Sequence, residues 1–298
     1  MTTLHHDLAA TDAPRTPVTM TTPGSLGEAL ALLAGGQAAA VGGGVGHTLA
    51  RQARRPPRAT TLVPVASLPE LTAVTWSDDH VTVGAGLRLS AVEADTRLRA
   101  AWPVVTEAVG SVATARIRRM VTLGGNIAAA DDSHDPPVAL AAAGALLTVR
   151  SARSTRTLRI TDAADLRAGE LIQDIRLPLP AHGQTGSAYE KFLVRGVWEY
   201  ACVNVAAVVH LDDSGTVERL TVAVGSVTGG PVLVDLAGLR GGTVDSALTE
   251  EAARRAAAGT RPYGDVRGSA PYKSRMIAEF TRRAVTRAAL RAAEGAGR

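Results

Sequence analysis

The run LGEALALLA, residues 26 to 34, places apolar side chains at helical spacing, and its ends carry the matching signals. Ser25 and Glu28 form an S-x-x-E capping box, and Gly35 with Gly36 supplies a left-handed stop. A short strand is expected next in AAAV, residues 38 to 41. It runs directly into Gly42, Gly43, Gly44 and Gly46, where backbone amides lie open to a ligand without side-chain hindrance. Further on, HVTVGAG alternates as a half-buried strand does and ends at Gly84 and Gly86. LSAVEADTRLRAAW, residues 89 to 102, reads as one helix, and VVTEAVGSVAT as another that leads into RIRRMVTLGGN.

The acidic segment 131 to 137 is expected to be a loop, followed by an Ala-rich helix. ALLTVRS and TRTLRI then pair as strands, and ELIQDIRLPLP follows. Pro178, Pro180 and Gly183 punctuate the chain, which places a domain boundary near 181 to 187. Beyond it, YACVNVAAVVHL and TVERLTVAVGSV are β-rich runs joined by Asp212, Asp213, Ser214 and Gly215, a hairpin signal. The tail is helical, with Met276, Ile277, Phe280 and Ala284 near one face and arginines mostly opposite.

Composition narrows the possibilities. At 298 residues the chain is long enough for about two domains. Aromatics make up only 3%, and although the net charge is +4, the arginines are interspersed with acids; no stacking platform or basic groove for nucleic acid is expected. RQARRPPR, residues 51 to 58, is the main exception and reads as a solvated loop, with a docking patch for an acidic partner as the alternative. Cys202 is the single cysteine, which excludes an intrachain disulfide and an iron–sulfur cluster held by this chain's own thiolates. A reducing, cytoplasmic compartment fits that usage. Residues 1 to 16, with His5 and His6, read as a flexible arm, and glycines interrupt the most apolar region, so no membrane span and no metal site are expected.

The glycine loops carry the candidate chemistry. A dinucleotide pyrophosphate is held by convergent backbone N–H groups, which need glycine where Cβ atoms would block approach. Neither GGGVGH nor VGAGLRL completes G-x-G-x-x-G, and no G-x-x-x-x-G-K-[ST] occurs, so the Rossmann and P-loop solutions drop out. Tight turns alone also account for glycine pairs and triplets. Only Lys191 and Lys273 are lysines among the 32 basic residues, both close behind a tyrosine. Lysine is a compact charge on a flexible stem, so arginine is no neutral replacement at a tight site.

The run IRRMVTLGGNIAAADDSHDPPVAL resembles the IRN-x-x-T-[IL]-GGN-[IL]-A…D…P-x-L signature of the FAD-binding medium subunits of molybdenum hydroxylases, the xanthine dehydrogenase and carbon monoxide dehydrogenase family. AVGGG at 40 to 44 is similar to that family's first AGG loop and VTVGAGLRLSAVE to its I-x-IGA strand. GELIQDIRLPLP, SAYEKFLVRGVWEYACVNVAA and DVRGSAPYKSRMIAEFTRRAV resemble its later blocks.

This resemblance implies an α+β fold. An FAD-binding PCMH-type domain, vanillyl-alcohol-oxidase-like and in two subdomains, would span 17 to 182. A C-terminal domain of CO dehydrogenase flavoprotein type, an antiparallel sheet with helices, would span 186 to 294. It implies FAD on this chain, with molybdopterin on a large partner chain and [2Fe–2S] clusters on a small one, assembled as a dimer of heterotrimers. Electrons would pass from the clusters through FAD to an acceptor. Carried over position by position, Gly43, Gly44, Thr122, Gly124, Gly125 and Asn126 would hold the pyrophosphate, with Gly42, Val45, Gly46 and His47 beside them in the cofactor site. Asp135 would bind the ribose or adenine end. Lys191 matches the family's Y-x-K lysine, and a cation there would stabilise the negative charge that two-electron reduction leaves near flavin N1.

The chain departs from the family pattern at Val45 and Gly46, where a hydroxyl or His and then Ser or Asp are usual; His47 stands one position later. Arg119 replaces a usual asparagine, and Asp132 a common proline. Two alternatives stay open on sequence: a stand-alone FAD-dependent oxidoreductase and a cofactor-free assembly protein of the same fold. The first needs its own acid or base, and His134, His182 and His210 sit in unrelated contexts. The second draws on the departures at Val45 and Gly46.

Overall fold

The computed structural model describes residues 18–53, 59–180 and 184–295. The first helix, Leu26–Ala34, has Ser25 as its N-cap, and the Ser25 hydroxyl accepts from Glu28 N at 3.2 Å. Glu28 reaches back to Gly24 N at 2.7 Å, one residue short of the box partner. The left-handed stop is Gly36 alone, at φ 74°, because Gly35 stays right-handed at φ −71°. Leu26, Ala29, Leu30 and Leu33 pack on Val63, Val65, Leu68 and Leu71, forming the smallest of the three cores among the described residues. Beside it lies a parallel sheet with Thr61–Pro64 between Thr19–Met20 and Ala38–Val41.

A second sheet is antiparallel, in the order Val74–Trp76, His80–Gly84, Leu171–Pro178, Leu146–Arg150, Thr155–Arg159. Helices cover it and bury Leu89, Val92, Leu98, Val105 and Ile127. Three expectations change here. Residues 89 to 102 form two helices, Leu89–Ala94 and Thr96–Ala101, because Asp95 Oδ1 accepts from both Arg97 N and Leu98 N and starts a new N-terminus. The next helix, Pro103–Gly110, stops early, and Ala113 turns left-handed at φ 41°. The helix Asp135–Ala142 begins inside the expected loop: Pro136 and Pro137 stand in its first turn, where a missing N–H costs no hydrogen bond.

The third sheet runs Val232–Leu233, Val217–Gly225, Val203–Leu211, Gln184–Phe192, all antiparallel, with the expected hairpin turning at Gly215, φ 79°. Alternation along Val203–Leu211 divides its side chains between two cores. Val205, Ala207 and Val209 meet Ile277, Ala284 and Ala288 of the long helix Ala270–Gly295. Ala206 faces the other way, with Tyr189 and Ala223, into the core that holds Val138 and Leu140. Gly186 permits the close approach of strand and long helix, since a Cβ there would collide with Ala288 O. Among the described residues no helix is long and apolar enough to cross a membrane. His182, part of the segment 181 to 187, residues 54 to 58 of the basic cluster and the expected arm lie outside the described residues.

Candidate functional site

A cleft of about 600 Å³ opens between the two glycine loops and the end of strand Gln184–Phe192. Its volume lies within the range usual for cofactor sites. The first loop enters it from strand Ala38–Val41. Gly44, at φ 76°, caps the helix Val45–Gln52, whose first backbone bond is Thr48 N to Gly44 O at 3.0 Å. The amides of Val45, Gly46 and His47 precede that bond and find no acceptor among the described residues. All three residues line the cleft, so a helix N-terminus faces it with its donors open. Among the described residues a Cβ on Gly46 would meet nothing within 4 Å. Gly42 and Gly43 have a different reason to be glycine: side chains there would collide with Thr122 Oγ1 and with Met120 O.

The second loop is built in the opposite sense. Thr122 caps the helix Leu123–Ala128 with its hydroxyl on Gly125 N at 3.2 Å. Leu123 N donates to Leu87 O at 2.9 Å and Gly124 N to Ala85 O at 2.8 Å. Every first-turn amide of this helix therefore has a partner within the protein. Gly124 packs against Ala85 and does not line the cleft, whereas Thr122, Gly125 and Asn126 do. Asn126 is 5% exposed, and its buried Oδ1 finds no donor among the described residues, an orphaned acceptor on a residue that lines the cleft.

Deeper in, Asp135 and Lys191 form a buried ion pair, Nζ to Oδ2 2.8 Å, with side chains 6% and 8% exposed. Tyr189 OH donates to Asp135 Oδ1 at 2.5 Å, and Lys191 also donates to Ser111 O at 3.1 Å. Burial pushes the Asp135 carboxyl above its ordinary range; Lys191, Tyr189 and Asn204 offset part of the rise. Both oxygens of Asp135 are engaged, Oδ1 by Tyr189 and Asn204 and Oδ2 by Lys191, and the residue also lines the cleft.

A roof of residues that sequence reasoning missed overhangs the opening. Between strands Gln184–Phe192 and Val203–Leu211, Trp198, Glu199 and Tyr200 line the cleft. Trp198 is 71% exposed and left-handed at φ 68°. Tyr200 stacks over His134, with centroids 6.3 Å apart and planes at 14°, and His134 Nδ1 lies 2.9 Å from Asn126 O. Weighed above only as a candidate acid or base, His134 lines the cleft. The available signal was the WEY run itself, in a chain with three tryptophans and four tyrosines.

Behind the roof, Arg267 donates to Ala201 O at 2.9 Å and pairs with Asp265, which also meets the fully buried Lys273 at 3.0 Å. Burial opposes ionisation of Asp265, but Arg267 and Lys273 outweigh it and hold the carboxyl at about 2. The two lysines thus differ: Lys191 reaches the cleft, while Lys273 lies under the Tyr263 ring, 4.4 Å from its centroid. Among the described residues no cluster of His, Cys, Asp and Glu could hold a metal ion.

Residues 16–180 match the family described as the FAD binding domain in molybdopterin dehydrogenase, and residues 187–288 match the CO dehydrogenase flavoprotein C-terminal domain. The carbon monoxide dehydrogenase medium chain of Afipia carboxidovorans is 31% identical over 239 residues, 78% of this chain and 82% of that one. The nicotine 6-hydroxylase medium subunit of Paenarthrobacter nicotinovorans is 27% identical over 277 residues, covering 90% and 96%. A crystal structure of the Cu,Mo-CO dehydrogenase in a cyanide-inactivated form superposes with a TM-score of 0.86 at 29% identity, over 92% of this chain and 99% of that one. The chain belongs to this family of FAD-binding oxidoreductase subunits.

Proposed function

We propose that FAD occupies the cleft between the two glycine loops, and that this chain passes electrons from the [2Fe–2S] clusters of a small partner chain to an acceptor. A large molybdopterin chain would oxidise the substrate, and the assembly would be a dimer of heterotrimers. The observation that carries this reading is the set of open amides at Val45, Gly46 and His47 facing a cleft whose other end holds a lysine ammonium. When bound, FAD supplies the redox chemistry. The amides and helix dipole would hold the pyrophosphate, and Gly42, Gly43 and Gly44 let the loop press close enough to present them. Thr122, Gly125 and Asn126 would close the opposite wall, and Lys191 would lie at the flavin end. The exposed rings of Trp198 and Tyr200 would exclude water from one side. A cytoplasmic location suits a chain whose single cysteine is buried and unpaired.

The test is release of the cofactor. Denatured protein should yield non-covalent FAD at one per chain by chromatography, in preference to FMN, which lacks the adenylate half. FMN, or no flavin after reconstitution, would overturn the reading and favour a cofactor-free assembly role.

A further inference from the structure

Four buried polar side chains from three elements meet at the inner end of the cleft. Asp135 opens the helix Asp135–Ala142; Tyr189 and Lys191 stand two apart on strand Gln184–Phe192 and so share a face; Asn204 lies opposite Lys191 in register on Val203–Leu211. Asp135 Oδ1 accepts from Tyr189 OH at 2.5 Å and from Asn204 Nδ2 at 3.4 Å, while Oδ2 takes Lys191. Two donors of the ammonium go to Asp135 and to Ser111 O, and a third remains for the cleft that Lys191 lines. Even the backbone is fixed: Tyr189 N donates to Glu107 Oε2 at 3.0 Å, and Arg287 donates to Tyr189 O.

A buried ion pair is a poor way to gain stability, since apolar residues of the same volume usually do as well. An ion pair set at the wall of a cleft, with one donor left over, is a way to place charge. We propose that Asp135 is the positioning residue and counter-ion of Lys191, so that the cofactor meets an oriented, neutral ion pair in place of a free positive charge. Tyr189 and Asn204 hold the carboxylate in the geometry that fixes the ammonium. The proposal rests on the reading that FAD fills this cleft.

Redox titration of the full chain loaded with FAD separates the cases, after chromatography has confirmed FAD in each protein. Asp135→Asn leaves the ammonium uncancelled and should raise the potential, the reduced cofactor gaining at least tenfold in relative binding, which is about 30 mV for a two-electron couple. The double variant Asp135→Asn with Lys191→Met removes both charges, leaves no unpaired buried ion to hinder folding, and should return to within about threefold of the parent. If Lys191 acts as an independent cation, the double variant falls at least tenfold instead, and the proposal is lost on that protein alone. An unchanged potential in Asp135→Asn, with weaker FAD binding, would make Asp135 a ligand of the cofactor and overturn the proposal while leaving FAD binding intact. Absence of FAD from the parent would instead overturn the function proposed above.

Discussion

Two loops of similar composition face each other across the cleft, and their glycines serve different ends. At Thr122–Gly125 the amides of Leu123, Gly124 and Gly125 are all bound within the protein. At Gly44–His47 the corresponding three amides have no acceptor among the described residues. Glycine content therefore does not locate the open donors; hydrogen-bond bookkeeping does. Five of the six glycines at 42, 43, 44, 46, 124 and 125 are required by the fold: four by collisions with Thr122, Met120 or Ala85, and Gly44 by its positive φ. Gly46 alone meets open space, and it is also where the usual family side chain is missing.

This contrast can be broken at several points. The largest effect is expected at Gly43, where the alanine methyl would be driven into the Met120 carbonyl: Gly43→Ala should cost about 3 kcal/mol or more in denaturant unfolding and separate the loops. Next, Gly124→Ala, whose Cβ would crowd Ala85, should cost about 1–3 kcal/mol and yet leave the FAD affinity of the folded fraction unchanged. A matching loss of affinity would return Gly124 to the binding loop. Thr122→Ala removes the N-cap of the committed loop and should lower stability by about 1 kcal/mol; calorimetry with and without FAD would show whether the hydroxyl also serves the cofactor. The smallest change runs the other way. Gly46→Ser restores a hydroxyl in open space beside the free amides and should tighten FAD by about 0.5–1.5 kcal/mol in a fluorescence titration. No gain would mean that the amides alone already satisfy the ligand.

Strand and helix positions were legible wherever one periodicity persisted between clear ends, as in Leu26–Ala34, Val203–Leu211 and Ala270–Gly295. They were misread where a single residue changed the local hydrogen bonding: Asp95 capped a helix inside an apparent helix, and Pro136 and Pro137 started one where they looked like a loop. Eleven of the twelve candidate site residues line one cleft, with Gly124 as the exception. What sequence could not convey was who partners whom. The engagement of Asp135 by Tyr189 and Lys191 is a long-range fact, set by a strand and a helix more than fifty residues apart. The roof was hidden for a related reason: Trp198 and His134 carry no periodic pattern, and only the fold brings them to one opening.

The clamp on strand Gln184–Phe192 bears on the order in which the site comes into being during synthesis. The strand that carries Tyr189 and Lys191 is gripped by Arg287 and Arg291, which bind Tyr189 O, Ser187 O and Glu107. Arg287 leaves the ribosome 98 residues after Tyr189, a delay of roughly 5 to 20 seconds at ordinary elongation rates. The two glycine loops are complete well before then. One end of the cleft can therefore take shape early, whereas the lysine end waits for the last helix, and a cofactor arriving in that interval would meet a half-finished berth.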